Sequence, residues 1–119
     1  MAAGIHAGRA SLDLTAAFSS TFSPRLGPDG RVVNAYEVFF ENRGRGPVTL
    51  RLSLSPARGE ATVNPERVDL APGEHRRVLL VASAAGLGPG PTVEAVLSAT
   101  GATGDTVTAH VPIFLPRAP

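Results

Sequence analysis

Three histidines, one Arg-Gly-Arg-Gly run and a scatter of hydroxyl and carboxyl side chains are what this sequence offers to chemistry. His6, His75 and His110 carry donor atoms that suit copper or zinc, but a metal site needs ligands that converge. No two of them stand at i,i+2 or i,i+4. His75 follows Glu74 at a turn, His110 falls on the polar side of an alternating run, and His6 lies in the N-terminal stretch. Each reads as an isolated surface side chain. Cysteine is absent and Met1 is the only methionine. That removes disulfides, thiolate ligands, a cysteine nucleophile and the thioether sites that Cu(I) favours. Ser19, Ser20 and Ser23, in FSSTFSP, lack the glycine-flanked elbow of a serine nucleophile. Asp69 and Glu74 flank a turn and Glu94 faces out of a strand, so none lies in apolar sequence that would raise a carboxyl pKa. GLGPGP places prolines where a phosphate loop needs backbone donors. No catalytic, cofactor-binding or metal-binding residue is assigned, and the expectation is a protein that is not an enzyme, with no cofactor and no small-molecule substrate.

The run Arg43 to Gly46 raises the question of nucleic acid. Arg-Gly grips work as disordered repeats with interleaved aromatics and strong positive charge. Here one copy follows an apolar strand, in a chain of 11 basic and 10 acidic groups with net charge +1. Every basic residue is arginine, which fits a GC-rich genome better than selection for bidentate anion binding. No nucleic-acid partner is expected. Gly44 and Gly46 are expected to supply left-handed backbone in a hairpin turn, with Asn42 tolerating the same region.

The elements that must position these residues are strands. A chain of 119 residues fits one domain, and one of this size buries roughly two-thirds of its unfolded surface. Leu, Ile, Val and Phe make up about a quarter of it, above the level at which disorder becomes the default. In GPVTLRLSLSP, Val48, Leu50, Leu52 and Leu54 alternate with Thr49, Arg51, Ser53 and Ser55, the signature of a strand with one buried and one wet face. TVEAVLSAT and DTVTAHVPIFLP repeat the pattern. Pro112 cannot donate to a ladder and marks an edge or a strand end. SLDLTAAF sets Leu12, Leu14, Ala16 and Phe18 in step, and RVVNAYEVFFEN aligns Val32, Tyr36, Val38 and Phe40 around Asn34. EHRRVLLVASA is apolar on both sides, so either Val78, Leu80 and Ala82 or Leu79 and Val81 can face inward. Ala61 to Val63 and Arg67 to Leu70 read as a broken or edge strand interrupted by Asn64-Pro65.

Turn chemistry in GPDG, NRGRG, APGE, GLGPGP and GATGD separates the runs. The expected fold is all-β: an immunoglobulin-like antiparallel β-sandwich of about seven strands over residues 11–116, with a small barrel second. Residues 1–10 and 117–119 are expected as flexible ends. The core is expected around Leu14, Tyr36, Val38, Phe40, Leu50, Leu52, Val78, Leu80, Leu97, Val107 and Val111, with Tyr36 hydrogen-bonded through its hydroxyl and Asn42 structural. No run approaches the roughly 18 apolar residues of a membrane span, and the N-terminal stretch, with Asp13 inside it, has no run of signal-peptide length. Phe39 falls on the face opposite Tyr36, Val38 and Phe40. With Val33 and Ala35 it forms a candidate interaction surface, unless residues 12–26 cover it.

The succession DGRVVNAYEVFFENRGRGPVTLRLSLS resembles the C-terminal immunoglobulin-like domain of the FixG-type cytochrome c oxidase accessory proteins. The resemblance rests on Gly30, Arg31, Asn34, Tyr36 and Asn42, on the Pro-Gly turn of VDLAPGEHRRVLLVASA, and on the ending VPIFLP with Phe114 and Pro116. It covers roughly residues 12 to 116. Full-length members are membrane proteins with an iron–sulfur segment built from cysteine clusters. This chain has no cysteine, so no cluster ligand carries over. The resemblance implies a periplasmic interaction or structural module, acting on a protein partner or its parent membrane protein by sheet face or by edge-strand addition. A chain complete from Met1 would instead be cytoplasmic. The alternative is a free-standing binding module for a carbohydrate or cell-surface ligand, a reading weakened by the absence of Trp and the single Tyr. A copper metallochaperone is disfavoured by the missing Cys and Met ligands.

Overall fold

Alternation of apolar and polar residues gives each long run two unlike faces, and the strands lay their apolar faces together in two antiparallel sheets. The computed structural model describes residues 4–9, 12–18, 24–27, 29–102, 104 and 106–116, the first two segments by their backbone. The strands are β1 (Gly4–Arg9), β2 (Leu12–Phe18), β3 (Arg25–Leu26), β4 (Val32–Asn42), β5 (Val48–Pro56), β6 (Glu60–Asn64), β7 (Arg67–Leu70), β8 (His75–Ala85), β9 (Thr92–Gly101) and β10 (Thr106–Phe114). The larger sheet runs β1-β2-β4-β8-β6, and β3 also pairs with β4; the smaller runs β10-β9-β5-β7. The molecule is an all-β sandwich.

The strand number exceeds the expected seven. Gly4–Arg9, expected as a loose end, pairs with β2 from Gly4↔Ala17 to Arg9↔Leu12. The two-residue β3 lies on the same β4 edge as β2, opposite Val32 and Val33. The interrupted run at Asn64-Pro65 is two edge strands in different sheets, β6 beside β8 and β7 beside β5.

The core lies between the sheets. Tyr36, Val38, Phe40, Leu50, Leu52, Leu80, Leu97, Val107 and Val111 are buried as expected, while Val78 packs half-buried at the margin. Leu14 pairs in register with Phe40, and its side chain lies outside the described residues. On β8 it is Leu80, Ala82 and Ala84 that face inward and Leu79 and Val81 that face outward. Pro112 lies within β10, an edge strand, as its missing N–H requires.

The Arg-Gly stretch is a corner, but not a hairpin. β4 and β5 belong to different sheets, so residues 43–47 carry the chain from one layer to the other. Neither Gly44 nor Gly46 has positive φ, and among the described residues no non-glycine residue does. The Asn42 side chain shapes the corner instead. Its Oδ1 accepts from the Gly44 N–H at 2.9 Å, and its Nδ2 donates to the Gly46 carbonyl at 2.9 Å.

Candidate interaction face

Because β4 and β8 pair antiparallel, the register decides which outward side chains are neighbours. Ala35 stands opposite Val81, Glu37 opposite Leu79, Phe39 opposite Arg77, and Glu41 opposite His75. Side chains directly opposite on one face of such a pair lie about 5 Å apart at Cβ, and diagonal ones about 7 Å. The outcome is an apolar strip on the outside of the larger sheet. Phe39 is 40% exposed, Leu79 47% and Val81 37%, with Val33 and Ala35 half-buried beside them. Both strands of the segment weighed as a cover for Phe39, residues 12–18 and 25–26, pair with β4 in the plane of the sheet. Residues 19–23 lie outside the described residues.

The two ends of the strip are polar and internally satisfied. At one end Arg31 donates from Nε to the Ser83 hydroxyl at 2.8 Å and from Nη2 to the Ser83 carbonyl at 2.9 Å, and meets Glu60 at 3.3 Å. At the other, Glu41 pairs with Arg43 at 2.8 Å and His75 at 3.2 Å. Between them, Glu37 and Arg77 make no ion pair or side-chain hydrogen bond among the described residues. Among the described residues this face has no nucleophile beside a base; what they offer is apolar area with one uncompensated charge of each sign.

Val33, Ala35 and Phe39 were legible from the alternation of β4. Leu79 and Val81 were missed, because VLLVASA is apolar on both faces and only the register with β4 orients it. The other singled-out residues serve the fold. Tyr36 Oη donates to the Pro112 carbonyl at 3.0 Å, and burial pushes its phenol pKa well above the ordinary 10.0. Asn34, buried, clamps the backbone of Phe114: Nδ2 donates to its carbonyl and Oδ1 accepts from its N–H, both at 2.9 Å. Asn42 Nδ2 also faces the carbonyls of Leu70 at 3.4 Å and Ala71 at 3.2 Å.

The titratable candidates do not converge. His75 and His110 are exposed on different sheets, and His6 has no described side chain. Among the described residues no three His, Cys, Asp or Glu side chains come together as a metal site. Asp69 is held below the usual carboxylate range by the Thr49 hydroxyl and then by Arg67, and Glu74 by the Ala71 N–H and then by Arg76. Glu94 is exposed on β9, and Ser19, Ser20 and Ser23 lie outside the described residues. A shallow groove beside β5 gathers Arg51, Ser53, Glu66, Arg67 and Thr100, charges and hydroxyls with no histidine among them. Among the described residues no helix is long and apolar enough to cross a membrane.

No family model matches the chain, and no curated protein sequence does. Its fold does have a likeness among solved structures. The crystal structure of a FixG-related protein from Vibrio parahaemolyticus is similar over 87% of this chain and 95% of that one, with a TM-score of 0.73 at 12% sequence identity. This is a likeness of fold, to the kind of protein that residues 12 to 116 resemble in sequence.

Proposed function

We propose that this chain is a non-enzymatic docking module, an immunoglobulin-like sandwich of the kind appended to FixG-type cytochrome oxidase accessory proteins. It presents the outer face of β4 and β8 to a protein partner or to a parent membrane protein, on the periplasmic side in such an assembly. The observation that carries the reading is the joint exposure of Phe39, Leu79 and Val81 on one sheet face. Single exposed apolar residues are ordinary, but a contiguous strip rimmed by charge is the mark of a docking surface. The fold likeness to a FixG-related protein supports the accessory-module half of the reading. A sugar-binding module would need an aromatic platform, whereas the chain has no Trp and its one Tyr is buried.

The test is a photo-crosslinking amino acid placed at Phe39 in the natural host, with Thr108 on the outer face of the smaller sheet as control. A defined adduct from position 39 and none from position 108 is expected. No adduct, or equal adducts from both, would overturn the docking face. The oxidase half is tested by the adjoining reading frames. Frames for membrane spans with cysteine clusters, or for oxidase subunits, are expected; unrelated neighbours would remove that half.

A further inference from the structure

The docking strip has a property that a general partner would not require: it is complementary to itself. Among the described residues its one uncompensated acid, Glu37, stands on β4, and its one uncompensated base, Arg77, stands on β8. These adjacent strands form the middle of the larger sheet. We infer that the occupant of this face is a second copy of the same chain, packed face to face about a two-fold axis that runs along the strands between β4 and β8. This rests on the docking reading above and names its partner.

A two-fold axis so placed lays β4 of one copy over β8 of the other. An isologous contact of this kind requires that each patch match itself. With sheets about 10 Å apart, Phe39 then faces the second copy's Arg77, a cation over an aromatic ring. Ala35 faces the second copy's Val81. Glu37 is offset from that same Arg77 by one pair position, about 7 Å along the strand, so the two backbones stand about 12 Å apart, a gap that two long side chains span. Each charge that lacks a partner among the described residues gains one across the axis, twice over. In-chain pairing already occupies Arg31 with Glu60 and Glu41 with Arg43 and His75 at the strip's ends, so the ends add no repulsion. β4 and β8, 11 residues each, overlie their counterparts for roughly 35 Å at about 4.8 Å spacing, on the order of 350 Å² per copy, while β2 and β6 flank opposite halves of the pair and add little. That is below a standard interface, so the dimer is a weak one that forms in the upper micromolar range.

Sedimentation velocity on the full chain at low salt, from about 1 to 500 µM, reads the association directly. A monomer–dimer equilibrium is expected. Glu37→Arg alone and Arg77→Glu alone each weaken it by about tenfold or more, and the double exchange restores it to within about threefold. A chain that stays monomeric throughout, or a double exchange no better than the singles, overturns the inference. A mixture of isotope-labelled and unlabelled wild-type chains needs no substitution. Intermolecular contacts from the Phe39 ring to Arg77 side-chain protons are expected there, and their absence at dimer-forming concentration overturns the stated packing. The two readings separate cleanly. A monomeric chain that still gives a crosslink from position 39 to a different protein loses the second copy and keeps the docking face. A chain with neither loses both.

Discussion

A buried polar side chain that bonds backbone fixes one register, where apolar packing alone would tolerate a slip. Asn34 and Tyr36 do this from β4, reaching the backbone of Phe114 and Pro112 on β10 in the opposite sheet. Tyr36 was legible as a buried aromatic needing a hydrogen bond. Asn34 was not, since no local pattern says that Phe114 lies beside it. Tyr36 makes an unusually clean alkaline prediction. The chain has no Lys, no Cys and one Tyr, so Tyr36 is the one side chain whose ordinary pKa lies between about 9 and 12. Its folded pKa is raised above the ordinary 10.0 by burial. The unfolded chain therefore releases a proton that the folded chain keeps, and stability holds below about pH 10 and falls above it. Urea unfolding at rising pH is expected to show that fall in the wild type and a flat line in Tyr36→Phe, which costs about 1 kcal/mol at neutral pH through the lost bond to Pro112. Asn42→Ala removes a buried amide that serves four backbone groups and should cost about 2 to 4 kcal/mol by the same measurement.

Where strands change sheet, the connections carry the constraints. The Arg-Gly corner needs no special backbone because Asn42 holds it, which is why the expectation of left-handed glycines there fails. The demand falls on Gly59, between β5 and β6. Its φ is +77°, and an added Cβ would meet the Gly86 backbone at 2.7 Å and press on the Ala85 carbonyl. Gly73, at φ +74° in the β7–β8 turn, has open space around it. Gly73→Ala should therefore cost only the backbone term of about 1 kcal/mol. Gly59→Ala adds a collision between strands and should cost about 3 kcal/mol or more. Equal costs in chemical denaturation would show that the close approach of Gly59 to β8 carries no weight. The same turn contributes to the acid limit. Asp69 on β7 and Glu74 after it are both held below their ordinary carboxyl values. The unfolded chain binds the more protons in acid, so their contribution is present above the unfolded values and drains away as pH falls through the depressed ones. The denaturation midpoint is expected to drop below about pH 4, and less steeply in Glu74→Gln.

At the scale of the whole molecule, period-two alternation was enough to read a sandwich, because each of β4, β5, β9 and β10 has one face that must be hidden. It could not say which strand sits beside which. β4 pairs with β8, and β5 with β9, across some 40 residues of chain, and pairings so distant leave no mark in a local window. The outward Leu79 and Val81 were invisible for that reason. Topology also predicts where the fold opens first. β4, β8 and β9 are paired on both sides, while β6, β7 and β10 are edges, so amides of Val38, Leu80 and Leu97 should exchange slowest and that of Thr62 early, with a gap of about a hundredfold or more. The informative amide is Phe114. It lies on an edge strand, yet its N–H donates to the buried Asn34 Oδ1 at 2.9 Å, so a side chain from the other sheet stands where a neighbouring strand would. It should outlast Thr62 in hydrogen exchange. In Asn34→Ala it should fall to the level of the other edge amides, while Leu97, in the middle of the same sheet, holds its protection relative to the shifted global stability. If Phe114 exchanges early in the wild type, the Asn34 clamp is not closing that edge, and apolar packing with the Tyr36 bond to Pro112 holds the sheets together there.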